Sequence, residues 1–237
     1  MREFPHKGDV YTSGVHGSGI DGMPVDRYPR QYYANEYSGL GMLKKVLGLS
    51  KPLLIKQLGS RDNKTAVRAA EILKSKGWFR DGSLQGINLE GANLRGAALA
   101  KADLQRANLQ AADLSKAYLG ETDLRCARLH KTILCEANMR DAWLGEADLS
   151  GADLNAAYLS GAVLTGARLH EARLHTANFW QADVRGVDFR GAVLQGVLFY
   201  GTVFDGTTIM PDGEMWTAAL DLARYTDPAH PDFWSGA

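Results

Sequence analysis

The sequence predicts an all-β solenoid with a short α-helical N-terminal cap and an irregular N-terminal arm. Three observations predict it: an unbroken five-residue apolar period, a small residue two places ahead of nearly every apolar position, and a change of composition on either side of the periodic region. Every fifth residue from Leu84 to Ile209 is apolar, 26 positions in succession without an insertion. The series includes Leu94, Leu104, Leu114, Leu124, Leu144, Leu154 and Leu164, then turns aromatic at Phe179, Phe189, Phe199 and Phe204. The small slot is mostly alanine, as at Ala92, Ala102, Ala107, Ala112, Ala147 and Ala152.

A five-residue period suits neither ordinary element. On an α-helix, five steps of about 100° leave each leucine about 140° from the last, so no single face forms. On a flat strand an odd period sends successive leucines to opposite faces. A chain that turns a corner at every repeat solves the problem, because each leucine then points back to one axis. Stacked turns pair their backbones about 4.8 Å apart and satisfy every edge inside the stack. Alanine suits the crowded inner corner, where only a methyl fits.

Segments such as Ala92-Asn93-Leu94-Arg95-Gly96, Ala102-Asp103-Leu104-Gln105-Arg106 and Ala152-Asp153-Leu154-Asn155-Ala156 resemble the A(D/N)LXX unit of the pentapeptide-repeat family. The resemblance covers residues 82–210. It implies a right-handed four-sided β-helix whose interior is filled by the central Leu or Phe and the small residue before it. Four repeats then make one coil, and 26 repeats make about six and a half coils, or roughly 30 Å of axis. Residues twenty apart should stack in columns. One column runs Asn88, Asn108, Arg128, Asp148, Arg168, Asp188, alternating in sign over its last four rungs. Lys116 falls under Glu136, and another column runs Lys101, Glu121, Asp141. Opposite charges on neighbouring rungs favour this register, at about 0–1 kcal/mol per exposed pair. The walls therefore read as self-neutralising and the rod as a spacer.

Outside the coils the composition changes. Residues 1–39 are rich in Gly, Pro and Tyr and poor in aliphatics, so they read as an extended or disordered arm. Residues 40–81 read as a basic helical cap. Ser50-Lys51-Pro52 marks a helix start running to Leu58, and a second helix runs from Asp62 to Lys76 and stops at Gly77. This pair resembles one HEAT-type unit and would cover the open first coil, as solenoid ends require. Residues 211–237 carry turn signals with interspersed aromatics and read as a C-terminal capping segment folded over the last coils, hiding outward apolar residues such as Val163, Val193, Leu198 and Val203.

Charge is distributed unevenly. The whole chain has 27 basic and 27 acidic residues. Residues 40–81 hold ten basic against three acidic, whereas residues 211–237 hold one basic against five acidic. This polarity points to a basic docking face for an acidic protein or an anionic membrane surface. The candidate contact residues are Tyr28, Tyr32, Tyr33 and Tyr37 in the arm and Lys44, Lys45, Lys51 and Lys56 in the cap.

Signals for chemistry are sparse. Cys126 and Cys135 lack metal-ligand spacing, and His130 and His170 would stand about 10 Å apart by the strand spacing. No phosphate-cradling loop is present, and no carboxylate pair is expected in a concavity. The sequence thus predicts no catalytic residue, no metal, no cofactor and no small-molecule substrate. The expected function is a non-catalytic scaffold or assembly subunit that binds protein partners in a larger complex. The family resemblance implies an alternative, DNA mimicry directed at a topoisomerase such as gyrase. A duplex carries around 18 negative charges over 30 Å, whereas residues 82–210 hold 12 basic and 14 acidic residues, so nucleic-acid-like character is not expected. The third alternative is a peripheral membrane adaptor acting through the basic helices. The N-terminal stretch MREFPHKGDVYTSG lacks the apolar core of a secretory signal, which leads to an expected cytoplasmic location, at most peripheral to a membrane complex.

Overall fold

The computed structural model describes residues 50–235, all within one compact unit spanning Gly48–Ala237. From Asn88 onward, parallel bridges link each outward residue to the residue twenty places on, as in Asn88–Asn108, Asn108–Arg128 and Arg128–Asp148. Four repeats therefore make one coil. The four walls can be named by their first inward residues: Leu84 begins the first, Leu89 the second, Leu94 the third and Leu99 the fourth.

Each position of the repeat has a physical role. The central residue fills the axis, and Leu94, Leu104, Leu114, Leu124, Leu144, Leu154, Leu164, Phe179 and Phe189 are all buried. Its carbonyl accepts the N–H three residues on, as in Ala92 N to Leu89 O at 3.0 Å, closing a β-turn at each corner. The third residue of that turn lies at positive φ, the signature of a type II turn. Glycine occupies that place at Gly91 (φ 63°), but fourteen non-glycine residues, among them Lys101 and Glu121, adopt it as well. The Asn or Asp before the central residue accepts the N–H two places on, as in Ser115 N to Asp113 Oδ1 at 2.9 Å. That donor would otherwise point away from both neighbouring coils, which is why Asn and Asp recur there.

Threonine replaces the small residue at four inner corners. Thr122, Thr132 and Thr208 are buried, and their hydroxyls donate to Leu99, Leu109 and Val184 carbonyls at 3.0, 2.8 and 3.0 Å. Thr202 does the same to the Phe179 carbonyl at 2.7 Å. No buried side-chain polar atom among the described residues is left without a partner.

The period slips once. Asp188 pairs with Ile209, twenty-one residues on, so Ile209 faces outward and Met210 fills the axis with Thr208 in the small slot. The sequence reading placed Ile209 inward. The extra residue is taken up at Asp205-Gly206-Thr207, where the Asp205 carboxylate accepts the Thr207 N–H at 2.9 Å and the Gly186 N–H at 3.2 Å. Phe199 and Phe204, read as core, are only half-buried because the coil stack ends beside them. Trp216 covers that end: its ring stacks on Phe204 at 5.4 Å and 11°. A short helix, α3 (Ala223–Thr226), follows, and its carbonyl at Thr226 accepts the Gly196 N–H at 2.8 Å. The C-terminal segment thus closes the end of the stack and does not hide the walls, since Val163, Leu198 and Val203 stay exposed.

At the other end stand α1 (Lys51–Leu58) and α2 (Asn63–Ser75). Ser50 precedes α1 but makes no side-chain capping bond, whereas the Asp62 carboxylate caps α2 by accepting the Thr65 N–H at 2.9 Å. At the far end of α2, Trp78 N donates to Leu73 O and Gly77 N to Lys74 O, with Gly77 at φ 71°, a Schellman closure that only a residue free of Cβ strain enters readily. Leu54, Leu58, Ala66, Ala69, Ala70 and Leu73 form the buried face of the pair. The pair also satisfies the open edge of the first coil. Ser60 O accepts Asn93 N at 2.9 Å, Phe79 O accepts Asp103 N at 2.8 Å, and Asn63 Nδ2 donates to Arg95 O at 2.9 Å.

Candidate interaction surfaces

Tyr28, Tyr32, Tyr33, Tyr37, Lys44 and Lys45 lie outside the described residues. Of the lysines read as contact residues, Lys51 has a structural role. Its ammonium pairs with Asp81 and lies 5.2 Å from the Trp78 ring centre, fastening α1 to the junction with the first coil. That ammonium, with help from Ser83, holds the Asp81 carboxyl down at about 2. Lys51 is therefore committed within the fold. Lys56, by contrast, is exposed.

Lys56 is one of seven exposed basic side chains in the cap, with Arg61, Lys64, Arg68, Lys74, Lys76 and Arg80. None of the seven forms an ion pair with a described residue; the cap's ion pair is Lys51–Asp81. Lys64 and Arg68 stand one turn apart on the outer side of α2, across from its buried Ala66, Ala69, Ala70 and Leu73.

Charges on the coils are handled differently. Lys101–Glu121 and Lys116–Glu136 pair between rungs at 3.2 and 3.4 Å, following the column reading. The alternating column of the second wall does not form rung-to-rung ion pairs. Asp188 instead takes Arg190 of its own rung at 2.6 Å, and Asp123 and Asp183 likewise take Arg125 and Arg185. An arginine two places along a turn lies flat beside the carboxylate, a shorter reach than the next rung. The Arg185 guanidinium accordingly holds the Asp183 carboxyl below the usual carboxylate range, and Arg190 does the same for Asp188.

Where the first and fourth walls meet, a depression of about 520 Å³ is lined by Arg80, Lys101, Asp103, Glu121, Asp123, Asp141 and Trp143. The sequence reading expected no carboxylates in a concavity, and here they are. The twenty-residue stacking brings Asp103 beside Asp123 and Glu121 beside Asp141, positions far apart in the chain. Three of the four are already engaged: Glu121 by Lys101, Asp123 by Arg125, and Asp103 by the Gln85 amide at 2.6 Å. Arg125 also covers the Trp143 ring at 5.0 Å.

The fourth wall departs from the charge-paired pattern. Its outward slots hold Tyr118, Asn138, Tyr158, Asn178 and Leu198 in one column, and Gly120, Arg140, Ser160, Trp180 and Tyr200 in the other. Tyr118, Tyr158, Trp180, Leu198 and Tyr200 are all exposed. The sequence reading picked out Leu198 on this wall but expected the C-terminal segment to cover it, and it passed over Tyr118 and Tyr158. The signal was available, because Tyr118 and Tyr158 are forty residues apart and so share a column two rungs apart.

The two cysteines differ in setting. Cys126 is exposed, whereas burial pushes the half-buried Cys135 thiol up to about 11. Among the described residues no cluster of His, Cys, Asp and Glu is arranged to hold a metal ion, and no helix is long and apolar enough to cross a membrane.

Among curated proteins no match is found. Among solved structures, HetL, a pentapeptide repeat protein involved in heterocyst differentiation regulation from Nostoc, is 29% identical, over 54% of this chain and 78% of HetL, with a TM-score of 0.33. Rfr23, from Cyanothece, is 32% identical over 53% of this chain and 89% of its own, with a TM-score of 0.24. A thylakoid-lumen pentapeptide repeat protein of Arabidopsis thaliana is 27% identical over 51% and 73%, with a TM-score of 0.26. The family description "Pentapeptide repeats" matches in eight copies over residues 79–110, 102–141, 142–181 and 175–209, more than half of the chain. With its five-residue repeat, filled axis and twenty-residue coils, the chain belongs to the pentapeptide-repeat family and folds as its right-handed four-sided β-helix.

Proposed function

We propose that this protein is a non-catalytic scaffold subunit that docks an acidic protein partner on the basic face of its helical cap, with the β-helix holding that face at a set distance from whatever the rest of the molecule binds. The observation that carries the reading is the contrast in charge. Six of the twelve cations of the coils pair with a carboxylate, whereas Lys56, Arg61, Lys64, Arg68, Lys74, Lys76 and Arg80 are all exposed and unanswered among the described residues. Unpaired charge of one sign on one end steers an oppositely charged surface and contributes mainly to specificity and association rate. The axis of the rod is filled by side chains, and three of the four carboxylates of the shallow depression are held by cations or an amide, which leaves little for catalysis to use.

The test is co-purification of the full chain from its native source at low salt, alongside a Lys64→Glu/Arg68→Glu/Lys74→Glu variant. An acidic protein should accompany the wild type, be lost from the variant, and dissociate as salt rises. A partner set identical in both proteins, or a chain recovered alone under gentle conditions, would defeat the reading.

One observation favours membrane attachment as a second reading. Leu53 is exposed on α1 beside Pro52 and Lys56, an apolar residue among cations. Co-sedimentation with phosphatidylserine vesicles at low salt would support it, and indifference to them would remove it. DNA mimicry has no comparable support, since the coils are near neutral and the cap is cationic.

A further inference from the structure

The fourth wall combines three properties that the other walls lack. It is aromatic, with Tyr200 79% exposed, Tyr118 58% and Trp180 47%. It is almost uncharged: the single formal charge in its outward slots is Arg140, whose guanidinium lies 5.7 Å from the Tyr158 ring centre. Trp143, Val163 and Val203 extend the exposed apolar surface onto the adjoining edge of the first wall. Of the large exposed apolar side chains on the coils, only Ile133 lies elsewhere.

Area and charge together say what fits there. At roughly 150–250 Å² for each aromatic side chain, and with about half of each exposed, the rings of Tyr118, Trp143, Tyr158, Trp180 and Tyr200 present about 400–600 Å², to which Leu198, Val163 and Val203 add. That reaches the top of the range for the largest apolar patch of a typical monomer, about 300–600 Å², and approaches what one partner contributes to a standard interface, about 800 Å². A wall so nearly neutral can meet its own copy without like charges opposed across the contact. Its relief is also self-complementary in kind. Gly120, Ser160 and Gly161 leave low ground beside Tyr118, Tyr158 and Trp180 where the rings of a second wall can rest. The mixture of Tyr and Trp with Asn, Ser and Gly around one Arg is the composition of surfaces that bind through rigid rings and adaptable hydrogen bonds. We propose that the fourth wall packs face to face on the fourth wall of a second copy of this chain, forming a symmetric dimer. This inference is independent of the cap reading, and it would give a scaffold two caps.

The test is the mass of the full chain in solution, by sedimentation velocity and by light scattering after gel filtration. Interfaces of this size range from about micromolar to picomolar affinity, so the dimer should dominate at about 100 μM. Tyr158→Lys/Trp180→Lys, and separately Tyr200→Glu, should weaken dimerisation at least about tenfold. Both variants change outward side chains, so their thermal unfolding by circular dichroism should match wild type and separate lost pairing from lost folding. His170→Lys on the second wall should leave the dimer intact. A monomer at about 100 μM would overturn the proposal, including a monomer whose fourth wall is protected from hydrogen exchange by some other covering. A dimer that survives both wall variants would overturn it as well.

Discussion

Thr132 offers a sharp test of how the interior is held. Its side chain is fully buried, and its hydroxyl donates to the Leu109 carbonyl at 2.8 Å. That carbonyl also accepts the Ala112 N–H at 3.1 Å, so it stays bonded if the hydroxyl is removed. Thr132→Val should therefore lose one net hydrogen bond and orphan nothing, at a cost of about 1 kcal/mol. Thr132→Ala loses the same bond and a buried methyl, which adds about 1 kcal/mol for the small cavity and brings the total to about 2 kcal/mol. Motif statistics argue the reverse, because alanine is the usual residue in this slot and a change toward the usual residue tends to stabilise. Urea unfolding followed by far-UV circular dichroism decides between them, provided the slope is unchanged and the midpoint alone moves. The structure demands the order wild type, then Val, then Ala. An alanine variant as stable as wild type would show that the hydroxyl bond contributes nothing and that the slot is governed by size alone.

Two further outcomes follow from the ends of the rod. Trp216→Ala removes the ring stacked on Phe204 and should cost about 2–3 kcal/mol. Because coils contact only their neighbours, hydrogen exchange should quicken around residues 189–210 and stay unchanged near residues 89–150; uniform loss of protection would refute a local cap. Asp81 titrates at about 2 in the fold against an ordinary value of 3.8, held down by Lys51 and Ser83. A lowered folded value means that the pairing stabilises the fold above pH 4 and that the contribution disappears as pH falls towards 2. The difference in unfolding midpoint between wild type and Asp81→Asn should accordingly shrink across that window, and a pH-independent difference would refute the pairing.

The amino-acid sequence by itself determined the architecture. A five-residue apolar period is local arithmetic, and turning a corner at each repeat is the one way to bring Leu84 through Phe204 to a common axis. The helix pair was equally legible, because Asp62, the burial pattern of Ala66, Ala69, Ala70 and Leu73, and Gly77 are signals contained within a few residues. Three features were decided by the tertiary structure. The slip between Phe204 and Met210 is hidden because Ile209 keeps the apolar period while the Asp205 carboxylate absorbs an extra residue in a turn. Lys51 looked available for a partner until the fold brought Asp81, thirty residues on, beside it. The fourth wall's exposed aromatics depended on where the C-terminal segment went: it stacked Trp216 on the end of the axis and left Leu198 and Tyr200 in solvent. The physical reason is one of range. Backbone turns and inward packing repeat every five residues and can be read locally, whereas exposure and charge pairing depend on neighbours a full coil away and on which surface the chain ends choose to cover.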